Sequence, residues 1–286
     1  MAISIFFISC ENTSKSDNSD EDSTITQLNE DETRLFYLVP SPEDLFEFTS
    51  DAQLIFNPDI LNKSENVEKY IDTKSKEINF GIYAADLAYC AAFSKNQETV
   101  EYLHVVRTLS DKVGISAAFD ESLIKRIENI DDNKDSLKTV SSDTYYDIVT
   151  FLEKNDRVGT LSLISTGGWI ESLYIVTNLI TKYQANSASI QRIADQKIIF
   201  SNLILYLEQN KEVEYVSKTL ELISPIKQIF DELEIVKIET PKTPENEGQI
   251  VVGGNTRINI TEAQFKKLKE TIAKVRNNIT TNNVTL

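Results

Sequence analysis

From Ser41 onward apolar side chains recur every three or four residues over most of the chain, the spacing of helices that bury one face. A short helix is predicted to open at Ser41-Pro42-Glu43-Asp44, where an N-cap, a first-turn proline and two acids favoured by the helix dipole follow one another. Longer helices are predicted near Lys74 to Phe93, Gln97 to Val113, Asp120 to Asn129, Ser142 to Asn155, Thr160 to Tyr183, Ser189 to Glu208 and Val213 to Ile235. Gly114, followed by the apolar Ile115, ends one of these, and Asp120 is placed to cap the next. The helices are longer than those of short helical repeats, and the chain shows no fixed-period self-similarity. The expected fold is therefore all-α, a multi-helix globular bundle and not a solenoid.

Two of these helices should lie at the centre. Between Gly81 and Phe93 the only charge is Asp86, and Gly81, Ala84, Ala85, Ala88 and Ala92 form one small-residue face along which another helix can approach closely. Between Gly159 and Thr181 the only charge is Glu171, in a run that is apolar all round and should be buried. Thr166, Gly167, Gly168, Glu171, Ser172, Thr177 and Asn178 interrupt that run and argue against a membrane span.

The pattern changes after Ile235. Residues 237–248, rich in Glu, Thr and Pro, read as an extended linker. Gln249-Ile250-Val251-Val252 and Arg257-Ile258-Asn259-Ile260, joined through Gly253-Gly254-Asn255-Thr256, predict a small C-terminal β-hairpin. Thr261 and Gln264 then make a capping box, and Phe265, Leu268, Ile272 and Val275 mark a stripe that can cover the hairpin or dock on the bundle. Lys266, Lys267, Lys269, Lys274 and Arg276 on that helix are expected to form a solvated face, with contact to anionic lipid as the alternative. The resulting division is a leader at 1–10, a tether at 11–34, the helical bundle at 35–236, the linker at 237–248, and hairpin plus helix at 249–280.

The N-terminus has a different logic. Met1 to Cys10 is too short to cross a bilayer, which takes about 20 apolar residues, but a small residue, Ser9, precedes Cys10, as at lipoprotein cleavage sites. The reading is lipidation at Cys10, each acyl methylene adding about 0.8 kcal/mol of membrane affinity; an incidental cysteine in an apolar terminus is the alternative. The missing basic n-region suggests that translation starts upstream of Met1. From Glu11 to Glu32 eight acids face one base, Lys15, among Asn, Ser and Thr, the composition of a tether that does not fold. The whole chain of 286 residues carries a formal charge of −16, which disfavours nucleic acid as a partner. Cys90 is the only other cysteine, so an internal disulfide in the folded part is excluded, and a small core residue is expected there.

Candidate chemistry narrows to Asp86 and Glu171. Carboxyl groups on buried helices have perturbed proton affinities unless paired, and such groups gather at functional sites. As a pair they would serve as acid and base or share a divalent metal. Alternatively, each is satisfied by a Tyr hydroxyl, Lys182, an Arg or a helix-end amide. Glu171 shares a semi-polar stripe with Thr160, Gly167, Asn178 and Lys182, while Asp86 lies one turn from Ile82, Tyr83, Tyr89 and Cys90. His104, the only histidine, lies opposite the apolar face of its helix, so metal sites and Ser-His-Asp or Cys-His arrangements are not expected. Ser165-Thr166-Gly167-Gly168 is too short for a phosphate loop, close helix packing accounts better for its glycines, and Trp169 reads as core. No cofactor or metal site is expected from these residues.

The leader ending in Cys10, Tyr37 to Glu43, Phe80-Gly81-Ile82-Tyr83-Ala84-Ala85-Asp86-Leu87-Ala88-Tyr89 and Gly167-Gly168-Trp169-Ile170-Glu171 together resemble uncharacterised helical lipoproteins of Bacteroidota, over most of residues 35–235. The resemblance implies an all-helical domain in the cell envelope, anchored by lipid to the outer membrane on its periplasmic or surface face. It carries over no functional residue. The expected function is a non-enzymatic module binding an envelope protein, glycan or small ligand; the alternatives are a hydrolase or metal-dependent enzyme using Asp86 and Glu171, and an assembly factor of an envelope complex.

Overall fold

Charge is sparsest in the two segments that run through the middle of the protein. The computed structural model describes residues 39–42, 45–46, 54–118, 134–237, 256–283 and 286, with side chains described at 139 and from 141 within 134–141. Cys10, the tether, the helix expected at Asp120 to Asn129, the linker beyond Lys237 and the strand expected at Gln249 to Val252 lie outside the described residues. So do Glu43 and Asp44 of the first expected helix start.

Helix α1 (Thr73–Ala92) opens at Asp72, whose side chain accepts the Ser75 N–H at 2.8 Å, and it is buried without a break from Glu77 to Ala91. The helix that packs most closely on it, α4 (Val158–Leu179), is buried without a break from Gly159 to Leu173. The two backbones meet at glycines. A Cβ on Gly81 would run into the Ile164 carbonyl and come 2.7 Å from the Gly168 nitrogen, and one on Gly167 would run into the Ile78 carbonyl. The expected small-residue face is thus the seam of the fold, and only a hydrogen in place of a side chain permits so close a crossing. Helices α2 (Asn96–Val113) and α3 (Lys134–Lys154) flank α1, while α5 (Ala188–Gln209), α6 (Glu214–Asp231) and α7 (Glu262–Thr280) gather around α4. The all-α bundle read from periodicity is the architecture observed.

Helix ends follow local chemistry. At the end of α2, Gly114 takes the left-handed conformation (φ 70°), the Ile115 N–H reaches back to the Ser110 carbonyl at 2.9 Å, and Ile115 is buried beneath the turn. The same closure recurs without glycine at Ser94 (φ 55°) after α1 and Asp156 (φ 54°) after α3. Within α6, Pro225 deprives the Glu221 carbonyl of its helical donor, and the Ser224 hydroxyl supplies one at 2.9 Å.

Helix α6 stops at Asp231, four residues short of the expected Ile235, because the chain turns into strand β1 (Glu234–Lys237). That strand pairs antiparallel with β2 (Thr256–Asn259), setting Ile235 opposite Ile258. The Tyr183 hydroxyl, donating to the Ile260 carbonyl at 2.7 Å, and the Gln191 side chain, donating to the Ile258 carbonyl at 3.3 Å, hold β2 against the bundle. Helix α7 begins at the expected capping box on Thr261. Its stripe of Phe265, Leu268, Ile272, Val275 and Ile279 joins the common core against α4 and α6. Among the described residues no helix is long and apolar enough to cross a membrane.

Candidate functional site

Asp86 on α1 and Glu171 on α4 are both completely buried, and the close crossing of their helices brings the two carboxyl groups within hydrogen-bonding reach. The cation beside them is Arg276 of α7. Its Nε donates to Glu171 Oε2 at 2.8 Å and its Nη2 to Oε1 at 2.7 Å, a bidentate pair. Nη2 also meets the Ile60 carbonyl at 3.4 Å, and the guanidinium lies 4.6 Å from the centre of the Tyr174 ring. Arg276 is only 8% exposed, which corrects its expected place on a solvated basic face. It follows Ile272 by four residues and precedes Ile279 by three, so it belongs to the apolar stripe. Lys182, the lysine that shares the stripe of Glu171 in the sequence, is exposed beyond the end of α4.

Asp86 has one donor for two oxygens. The Asn62 N–H reaches Oδ2 at 3.3 Å, and Oδ1 has no donor. Burial, and then the charge of Glu171, push the Asp86 carboxyl well above the usual range, against the opposing pull of Arg276. Glu171 in turn keeps Arg276 charged despite its burial.

A shell of tyrosines closes this centre. Burial raises Tyr70, Tyr83 and Tyr102 above the usual phenol value, so all three are neutral donors at physiological pH. Tyr83 donates to the Lys63 carbonyl at 2.9 Å, Tyr102 to the Asn62 carbonyl at 3.0 Å, and Tyr70 to the Thr280 carbonyl at 3.2 Å. Asn62 completes the ring by donating from its side chain to the Tyr70 oxygen at 3.0 Å. The tyrosines on α1 and α2 therefore pin the stretch that precedes α1, and Tyr70 within that stretch ties it to the end of α7. The arrangement gives the three hydroxyls and Asn62 their partners, leaves Asp86 Oδ1 without a donor, and keeps Asp86 and Glu171 completely buried.

The semi-polar stripe read from the sequence does not form a cavity around Glu171. Thr160 donates to Glu77 at 2.8 Å, Gly167 packs on Ile78, and Asn178 donates to the Tyr174 carbonyl at 2.8 Å. Glu77 is a third buried acid that sequence reasoning missed, since the charge-poor window was opened at Gly81. It pairs with Lys74 at 2.8 Å and Arg157 at 3.5 Å, and Arg157 also donates to the Val113 and Gly114 carbonyls, both at 2.8 Å, capping α2. His104 is exposed and Cys90 is buried as a free thiol, as expected. Trp169 is core: it stacks on Phe200 at 4.3 Å and donates to Gln196 at 3.0 Å.

Open space lies elsewhere. A cleft of about 690 Å³ separates residues 54–57 from the turn between α4 and α5, with Leu54, Phe56, Asn178, Lys182, Ser187 and Ser189 among its walls. Among the described residues Lys182 is the one charged side chain that lines it. No group of three or more His, Cys, Asp or Glu side chains suited to a metal occurs among the described residues. Compared with family models, curated proteins and solved structures, the chain matches none, so the site is known by its own geometry.

Proposed function

We propose that this chain is an envelope lipoprotein, held to a membrane by acyl chains on Cys10, whose helical domain is a binding module that takes its ligand into the cleft beside Lys182. The address rests on the leader, Ser9 and the acidic stretch that follows Cys10. The choice of a binder over an enzyme rests on one observation. The strongest catalytic candidates, Asp86 and Glu171, are sealed and engaged in a structural network, whereas the cleft is open and sets apolar Leu54, Ile55 and Phe56 beside polar Asn57, Asn178 and Ser187, a concave surface for a ligand that offers both kinds of contact. With Lys182 as the only charge among the described lining residues, the cleft favours neutral or anionic ligands over cations.

Native mass spectrometry of the full-length protein, released from envelopes in detergent, tests this reading against Ala188→Trp, which fills the cleft from the first turn of α5. A bound molecule retained by the wild type and lost from the variant, with helicity and melting unchanged, is the expected result. Retention by the variant would remove the cleft from consideration. Turnover by the purified protein that Asp86→Asn abolishes without unfolding would establish the enzymatic alternative instead.

A further inference from the structure

We propose that Asp86 and Glu171 form a proton-binding site: Asp86 carries the proton at neutral pH and donates it to Glu171, and the resulting neutral triad with Arg276 clasps α7 and residues 58–63 to the core.

Three observations converge on that proton. The first is charge: two carboxylates and one guanidinium would leave an uncompensated negative charge in a centre where both acids are completely buried, and interiors avoid unpaired charge by changing protonation. The second is geometry. Oδ1 of Asp86 lacks a donor, while the carboxyl group lies within hydrogen-bonding reach of Glu171. Two carboxylates are both acceptors, so a hydrogen bond between them requires a proton on one. The third decides which one. Glu171 receives two charge-assisted bonds from Arg276, whereas Asp86 receives a single amide N–H at 3.3 Å, so the negative charge is better held on Glu171.

The groups that face Asp86 are Glu171 from α4, Arg276 from α7, Tyr83, Tyr89 and Cys90 from α1, Tyr102 from α2, and Asn62 from the preceding stretch, with Tyr70 beside Glu171 and Arg276. Burial raises the tyrosines and the thiol above their ordinary values, leaving Glu171 and Arg276 as the charged neighbours among the described residues. Both partners of the triad hold the same stretch of chain: Asn62 donates to Asp86, and Arg276 donates to the Ile60 carbonyl. Loss of the proton therefore acts on α7 and on residues 58–63 together.

The sign follows from linkage. A carboxyl that holds its proton more tightly when folded contributes stability that is fully present below its unfolded value, falls as pH rises above that value, and is lost through the folded one. Across that window the contribution to the ratio of folded to unfolded protein drops about tenfold per pH unit.

Infrared spectroscopy of the full-length chain at neutral pH, with urea denaturation and amide exchange of α7 followed across pH, tests the site. Asp86→Asn is the informative variant, because its amide donates to Glu171 as the acid does but cannot ionise. The expected results are a protonated-carboxyl C=O band that Asp86→Asn lacks, a tenfold-per-unit fall of wild-type stability relative to the variant, and alkaline loosening of α7 in the wild type alone. Absence of the band, or stability profiles that run parallel, would overturn the proposal. So would stabilisation by sodium chloride over choline chloride, which would put a metal cation where the proton is placed. Should Asp86→Asn fail to fold, the wild-type band and its disappearance at high pH still decide.

Discussion

Among the described residues Arg276 supplies the only positive charge for these two buried carboxyl groups, so its removal strands Glu171 with no other described cation in contact. Arg276→Met should cost about 3–5 kcal/mol, the usual penalty for breaking a buried ion pair from one side. Glu171→Met with Arg276→Met should recover much of that loss, because no charge is then left unpaired. Urea denaturation of the two single variants and the double variant measures the coupling directly; strictly additive losses would mean that the pair is energetically silent. A milder prediction concerns Ser94, which closes α1 in the left-handed region at φ 55°. Ser94→Gly should stabilise the protein by about 1 kcal/mol, since glycine enters that region without the Cβ penalty, and an unchanged denaturation midpoint would count against strain there. Of these residues, Asp86 and Glu171 were legible as isolated charges in apolar runs, but Arg276 was hidden among lysines and was grouped with them by composition. Its spacing from Ile272 and Ile279 was the signal that placed it inside.

The seam between α1 and α4 turns on where a backbone leaves room for a methyl group. At Gly81 and Gly167 a Cβ would collide with carbonyl groups of the facing helix, whereas at Gly168 the nearest atoms are Pro42 Cγ at 3.3 Å and the Gly81 oxygen at 3.4 Å. Gly81→Ala and Gly167→Ala should therefore each cost about 3 kcal/mol or more, at the upper end of overpacking. Gly168→Ala should cost distinctly less, as its neighbours need yield by only a few tenths of an ångström. Thermal denaturation of the three variants checks that order, and equal losses would show that alanine is disfavoured there for reasons other than collision. The helices themselves were legible because long apolar periodicity survives any detail of packing: the observed ends of α1, α2 and α5 lie within one residue of those expected. The partner of β2 was not. Glu234 to Lys237 is largely exposed, with Ile235 65% accessible, so it lacks the alternating burial that marks a strand and reads as the tail of α6. The alternating Ile and Val residues at 250–252 drew the expected strand to a segment outside the described residues. The clustering of Tyr70, Tyr83 and Tyr102 with Asn62 could not be read from spacing either, since it depends on how a non-helical stretch lies across two helices.

At the scale of the molecule, the membrane attachment proposed above needs a source, and the described body offers little. It contains no helix able to cross a bilayer, and the formal charge of −16 on the whole chain opposes adsorption to anionic lipid. The basic face of α7 is depleted for that role: Arg276 is buried with Glu171, and Lys267 lies 3.4 Å from Glu232. If the protein is membrane-bound, the acyl chains proposed for Cys10 have to carry the affinity. At about 0.8 kcal/mol per buried methylene, more than one chain makes that attachment stable while leaving the domain outside the bilayer. Cys10→Ala should then move the protein from the membrane fraction to the soluble fraction, with the helical domain still folded. High salt should leave the wild type on the membrane, because a hydrophobic anchor is not screened as ion pairs are. Fractionating both proteins with and without a salt wash separates the possibilities. A variant that still sediments with membranes would exclude Cys10 as the anchor, and release of the wild type by salt alone would point to a charged contact with another envelope component.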